Sequence, residues 1–363
     1  MGTPARRKRW LAAAVLGAGV LVGAAFLARQ LLPLRSILGL SDGGVCFAEA
    51  ERTRLPGGAP SEAGRWDLAE SYPIPRDEVR AATVGSHIYV GTGIQVSGGA
   101  FRSLSELYRF DPARRRYERL PDLPERVDHA ALVGHRGALY VIGGYHDDEP
   151  TASVWRLSTE TGRWTALEPM RVARSSPAAA VIEDKIYVAG GSEGHRGEPR
   201  STKFLEIYDI KSGTWTRGPD MPTARHHHGA AEIHGRLIVV GGRADDDLSV
   251  AFVDRFDPAR GRWDRLAPLP LGAGGLAVVA SAGMLVAIGG GDDAEAWVTP
   301  ATWALDADEG GWHRLADLNV ARHGHGAAAV GSEVFVFGGA PCPGYGVTDA
   351  VESLKPTAGR RSR

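Results

Sequence analysis

The periodicity of this 363-residue chain predicts an all-β fold: a six-bladed propeller whose blades are four-stranded sheets. Three observations lead there. A short apolar run closed by paired glycines recurs at Gly143-Gly144, Gly190-Gly191, Gly241-Gly242, Gly289-Gly290 and Gly338-Gly339, with first glycines 47, 51, 48 and 49 residues apart. A degenerate earlier copy is Gly91-Thr92-Gly93. An aromatic marker keeps step at Trp66, Tyr117, Trp164, Trp215, Trp263 and Trp312, spaced by 51, 47, 51, 48 and 49. The apolar segments of each repeat are four to six residues long, too short for helices and right for strands.

Each strand type has a physical reason. The first in a repeat is rich in small residues (Ala178–Ile182, Ala230–Ile233, Ala327–Val330), as suits an innermost strand beside a crowded axis. The second ends in the glycine pair, which permits close backbone approach and positive φ. The third ends near Asp (Leu107–Asp111, Leu205–Asp209, Val253–Asp257, Trp303–Asp306), followed by turn residues such as Asp111-Pro112 and Ser212-Gly213. The fourth carries the aromatic that fills the wedge between blades. The chain enters on a fourth-type element at Trp66 and ends on a third-type element near Ala350–Leu354. Six complete blades therefore require N-terminal strand closure, with the Trp66 strand finishing the last blade and removing two exposed sheet edges. The period and the Tyr, Gly-Gly and Trp markers resemble the kelch repeat, over residues 65–355. That resemblance implies a propeller with ligand binding at the centre of one face.

The remainder is organised differently. Residues 1–40 hold six basic and no acidic residues, so the formal charge of −1 hides a rest-of-chain balance of 36 basic against 43 acidic, or −7. Residues 1–9 form a basic n-region, and 10–28 are free of charge and long enough to span a bilayer as a helix. The expectation is a signal anchor with the propeller outside the cytoplasm; the alternative is a cleaved signal and a secreted or periplasmic protein. Residues 29–64 read as a linker and 356–363 as a basic tail. Cys46 and Cys342 are expected to form a disulfide that staples the closure, the alternative being two free thiols. The near-neutral charge gives no support for nucleic-acid binding.

Strand connectivity puts the start of each first strand and the loop between second and third strands on one face. Arg76, Arg126, Arg174, Arg225 and Arg322 open the first strands there, with His129, His228 and His325 three residues after three of them. The loops of that face bring Asp148, Glu193, Asp246 and Asp293. Guanidiniums suit carboxylates and sugars, so these residues form a candidate ligand-binding face for a protein or carbohydrate partner. No catalytic residue, metal or cofactor is assigned: no triad, nucleophile motif or phosphate loop is visible. A non-catalytic binding module is the leading expectation. The alternative, by resemblance to kelch-type sialic-acid epimerases, is a sugar-directed enzyme using the Arg/His face.

Overall fold

The computed structural model describes residues 64–97, 100–245, 248–306 and 310–356. The n-region, the charge-free run 10–28, most of the linker, Cys46, Asp246 and the tail lie outside the described residues. Among the described residues no helix is long and apolar enough to cross a membrane. Six four-stranded sheets lie within the unit Val45–Val96 with Phe101–Arg363. Of the second unit, Met1–Gly44 with Ser97–Ala100, only Ser97 and Ala100 are described, at the ends of strands Ile94–Ser97 and Ala100–Ser103.

Blade 1 runs Arg80–Val84, His87–Gly91, Tyr108–Asp111, Arg116–Arg119, and blade 2 runs Ala131–His135, Ala138–Ile142, Val154–Ser158, Trp164–Ala166. Blade 3 is Ala178–Ile182, Lys185–Ala189, Leu205–Asp209, Thr214–Arg217. Blade 4 is Gly229–Ile233, Arg236–Val240, Val253–Asp257, Arg262–Arg265, and blade 5 is Ala277–Ser281, Met284–Ile288, Thr302–Asp306, Trp312–Arg314. In blade 6, Gly326–Val330, Glu333–Phe337 and Val351–Leu354 are completed by Asp67–Leu68 from the other end of the described chain. Asp67 pairs with Ser353 and Leu68 with Glu352, which is the N-terminal closure expected from counting strands.

The hydrophobic core is divided among the joints. One cluster joins Leu139 and Val141 of blade 2 to Tyr89 and Leu107 of blade 1; another joins Phe335 and Phe337 of blade 6 to Ile88 and Phe110 of blade 1. Six such clusters together link every pair of adjacent blades. Two repeated hydrogen bonds tie the same joints. The fourth-strand aromatic of each blade donates to a carbonyl just beyond the fourth strand of the preceding blade. The donors Tyr117, Trp164, Trp215, Trp263, Trp312 and Trp66 meet Glu70, Pro121, Glu168, Pro219, Ala267 and Ala316 at 2.8–3.3 Å. Trp66 and Tyr117 carry this pattern across the closure, so blade 6 is fastened on both sides.

The second bond explains the glycine pair. In Gly190-Gly191 both residues have positive φ, 58° and 106°. A Cβ on Gly190 would lie 2.7 Å from the Arg225 carbonyl of the next blade, and the Gly191 N–H donates to that same carbonyl at 3.0 Å. All six joints have this bond: Gly93, Gly144, Gly191, Gly242, Gly290 and Gly339 donate to Val127, Arg174, Arg225, Ala273, Arg322 and Arg76. In the degenerate first copy, Thr92 takes the first-glycine place at φ 60°.

Trp66 is 1% exposed and belongs to the cluster between blades 5 and 6. Trp66→Ala is expected to cost about 3–5 kcal/mol, the usual loss for truncating a buried aromatic. Urea denaturation followed by far-UV circular dichroism measures it. A loss under about 1 kcal/mol would mean that the closing strand contributes little to the fold.

Candidate functional site

The inter-blade carbonyls set the register of the candidate face. The residue after each of them bridges to the loop behind its own second strand, as in Asp77 with Ile94, Asp128 with Tyr145 and His226 with Arg243. The residue after that turns toward the propeller axis. Counting this way, the leading position of the six blades is Arg76, Val127, Arg174, Arg225, Ala273 and Arg322. Arg126 is therefore one residue out of register with the other arginines, and it is exposed.

The four in-register arginines are not surface donors. Arg76, Arg174, Arg225 and Arg322 are each 0% exposed, inserted within their blades. Arg174 pairs with Glu206 at 3.0 Å, Arg225 with Asp254 at 2.8 Å, and Arg322 with Glu352. Each acid is the second residue of its blade's third strand, opposite Val188, Val239 and Val336. Glu206 and Glu352 also accept the backbone N–H groups of Arg171 and Asn319, so the pair anchors the incoming loop. Blades without the arginine lack the acid too: opposite Val141 and Ala287 stand Trp155 and Trp303. Blade 1 uses a third solution. Tyr108 holds the acid position, and Arg76 donates to the Thr92 carbonyl at 2.8 Å with its guanidinium 4.9 Å from the centre of the Tyr72 ring. The register turns these four arginines inward, where a buried cation requires a partner, and away from the surface on which the sequence placed them.

The two histidines His228 and His325 are also internal. A Cβ on Gly190 would meet His228 at 2.5 Å, and one on Gly289 would meet His325 at 2.8 Å, so each ring fills the space left by the preceding blade's glycine. His228 Nε2 lies 3.0 Å from the Ala189 carbonyl. Burial, followed by the nearby Arg225 and Arg322 respectively, pushes both imidazoles down to about 3, leaving them neutral. Of the loop acids, Asp148 is exposed and pairs with Arg196, Glu193 pairs with Arg200 at 3.3 Å, and Asp293 pairs with Arg243 at 2.7 Å. Asp246 lies outside the described residues.

What converges on the axis is a ring of one residue per blade: Glu78, His129, Ser176, His227, Gly275 and Gly324. All six have left-handed backbone, with φ of 51°, 53°, 49°, 54°, 65° and 61°. Successive members are joined, since Ser176 N–H donates to the His129 carbonyl, His227 to Ser176, Gly275 to His227 and Gly324 to Gly275. His129 Nε2 lies 3.7 Å from Glu78 Oε1. Its Nδ1 lies 2.5 Å from Asp128 Oδ1, and the His129 and His227 rings meet edge to face at 5.0 Å. Arg80 donates to Glu78 Oε2 at 2.8 Å. Burial raises the Glu78 carboxyl, but His129, Arg80 and His323 outweigh it and hold it well below the usual range. Its neighbour Asp77 is driven the other way by burial and by Glu78. Burial and Arg243 hold His227 neutral. Beneath the ring the channel leaves a cavity of about 120 Å³ lined by first-strand residues and by His227.

Above the ring the loops lock to one another. Arg196 reaches from blade 3 to Asp128 of blade 2 at 2.8 Å and lies over the Tyr145 ring at 4.7 Å. Ser201 N–H donates to Asp245, and Ser249 N–H donates to Asp292, which link blades 3, 4 and 5. Phe101 of blade 1 packs on Tyr345 of blade 6 at 4.4 Å. Cys342 in that last loop is disulfide-bonded; the expected partner Cys46 lies outside the described residues. Sequence reasoning passed over Glu78 and His227. Their signal was the recurrence of glycine, Gly275 and Gly324, two residues before the first strand in two of six copies, which marks a left-handed position.

Two measurements check these assignments. Arg174→Met leaves Glu206 buried without its cation and is expected to cost about 3–5 kcal/mol. Adding Glu206→Leu should recover part of that in urea titrations, and a double variant no better than the single one contradicts the pairing. For His325 the folded value, about 3, lies below the ordinary 6.5, so the unfolded chain takes up the proton first as pH falls. Stability from this group is complete above about pH 6.5 and drains away toward pH 3. His325→Leu, which copies Leu276 of blade 5, should therefore lose about 1.2 kcal/mol less than wild type between pH 6 and pH 5. Parallel losses in the two proteins would rule out a buried neutral His325.

Comparison with known proteins places these features. The family model described as the KLHDC2/KLHL20/DRC7 Kelch-repeats domain matches residues 61–191 and 139–339. The Kelch-like protein terF of Aspergillus terreus is 32% identical over 186 residues, covering 49% of this chain and 40% of that protein. Kelch-like protein 36 of Rattus norvegicus is 26% identical over 182 residues, 50% of this chain and 29% of that protein. Beta-scruin of Limulus polyphemus is 33% identical over 124 residues, 32% of this chain and 14% of that protein. The matched segments thus span less than half the length of these relatives.

Proposed function

The chain belongs to the Kelch-repeat family, and from that membership we propose that it is a non-catalytic interaction module that docks a protein partner on the loop face. The observation that carries this reading is the mutual locking of the loops on that face. Arg196, Ser201, Ser249 and Phe101 each bind the loop of a neighbouring blade, so the surface is organised before a partner arrives and little ordering entropy remains to be lost on docking. Its tips are charged and open to solvent: the side chains of Asp147, Asp148, Glu149, His195 and Arg200 are 63–92% exposed. A carbohydrate ligand, and with it a sugar-directed enzyme, is disfavoured by the burial of the arginines that would have served it.

The same proposal places the propeller outside the cytoplasm, tethered by residues 10–28. The basic n-region before a charge-free run supports that orientation, and a disulfide at Cys342 suits an oxidising compartment. The Cys46–Cys342 pairing is part of this reading.

A photo-crosslinking amino acid at Asp147, on the loop face, is expected to capture a discrete protein adduct in the native host. The same group at Lys211, on the opposite face, should not. Protease admitted to the outer side of the intact cytoplasmic membrane should degrade the adduct. Equal capture from both faces would overturn the docking surface, and a protected adduct would overturn the export.

A further inference from the structure

We propose that Glu78, His129 and His227 form a binding site for one divalent transition-metal ion of the Zn(II) or Fe(II) class, at the centre of the loop face. The three residues come from blades 1, 2 and 4 and are far apart in sequence. Each nonetheless offers a ligand atom within 4.8 Å of the others. Two imidazoles and one carboxylate are the donors that zinc and open-coordinate ferrous iron accept. Donors sharing one ion at about 2.0–2.2 Å stand about 3–3.5 Å apart. The 3.7 Å between Glu78 Oε1 and His129 Nε2 is close to that spacing.

The surrounding shell is arranged for this purpose. Asp128 accepts hydrogen bonds from Ser103 and Arg196 on the side away from the ring and meets His129 Nδ1 on the other. A carboxylate only accepts hydrogen bonds, so Asp128 takes the Nδ1–H of His129 and leaves Nε2 as the atom that faces Glu78. A carboxylate behind a ligating histidine is the usual second-shell partner of a metal site. Arg196 in turn grips both oxygens of Asp128, at 2.9 and 2.8 Å. Arg80 occupies Glu78 Oε2 and leaves Oε1 for the ion. His227 Nδ1 lies 2.5 Å from His226 Nδ1, which fixes the ring plane, and its Nε2, 3.3 Å from the rotatable Ser176 hydroxyl, is the atom left to take the ion.

The backbone supplies an independent reason. The ring position is left-handed in every blade, and blades 5 and 6 meet that demand with Gly275 and Gly324. Glu78, His129 and His227 accept the same conformation with a side chain, which is the kind of strain that persists where the side chain is needed. His227 also lines the 120 Å³ cavity of the channel, so coordination positions not filled by the protein open onto room for water or a small ligand. The site does not depend on whether the loop face has a protein partner.

The test uses the full, untagged chain, stripped with a chelator and titrated with Co(II), then Zn(II). The expected result is one equivalent of Co(II) bound, with a visible d–d absorption that one equivalent of Zn(II) abolishes. His227→Gly installs the residue blades 5 and 6 already use, so its melting temperature should hold while affinity falls at least tenfold. Glu78→Gln, nearly isosteric, should weaken binding similarly, and Asp128→Asn by about 10–100-fold. Absence of saturable one-equivalent binding by the wild type overturns the proposal, as does unchanged affinity in both His227→Gly and Glu78→Gln.

Discussion

One hydrogen bond organises the molecule: the N–H of the second glycine in each pair, donated to the first carbonyl of the following blade. It is made with two positive φ angles and a close backbone approach, which five copies meet with a glycine pair and the first copy meets with Thr92 before Gly93. Because that carbonyl is pinned, the next residue is set to bridge to its own blade's loop, and the one after it is turned over the axis. Blade packing and the composition of the central ring are thus consequences of one contact repeated six times. The aromatic donors at the blade rim repeat the constraint from the outside, and the closure by Asp67–Leu68 completes both sets.

The second theme is what lies behind the pinned carbonyl. Three blades bury an arginine against an acid, one buries an arginine against Tyr72, and two replace the pair by an aliphatic residue and a tryptophan. Exchange of a whole ion pair for an apolar pair is the substitution that physics tolerates, because only a half-removed pair leaves a charge in low dielectric. The blades therefore differ in chemistry while keeping one geometry.

This explains where sequence reading succeeded and failed. Strand number, blade order and closure were all legible, since they follow from spacing and from the count of strand types. Third strand Val154–Ser158 and first strands Arg80–Val84, Ala131–His135 and Ala277–Ser281 are not marked in the sequence: Val154–Ser158 lacks the terminal Asp, Arg80–Val84 precedes the copy without a glycine pair, and the other two lack adjacent alanines within the strand. The candidate site was read less well. Arg126 and Arg225 look equivalent when aligned on Arg-x-x-His, yet they differ by one residue in register, and a one-residue shift on an extended backbone reverses the side chain. His228 and His325 attracted attention over His227 for the same reason.

The sequence by itself determined that the chain repeats, how many times, and that the first strand must finish the last blade, because periodicity and turn chemistry are local properties carried by each copy. Only the tertiary structure decided which polar residues are buried and which meet at the axis. Glu78, His129 and His227 lie 51 and 98 residues apart along the chain, and no local pattern encodes their approach. Their meeting follows from the angle between blades, which is set by the glycine joints, the shared hydrophobic clusters and the ring closure acting together.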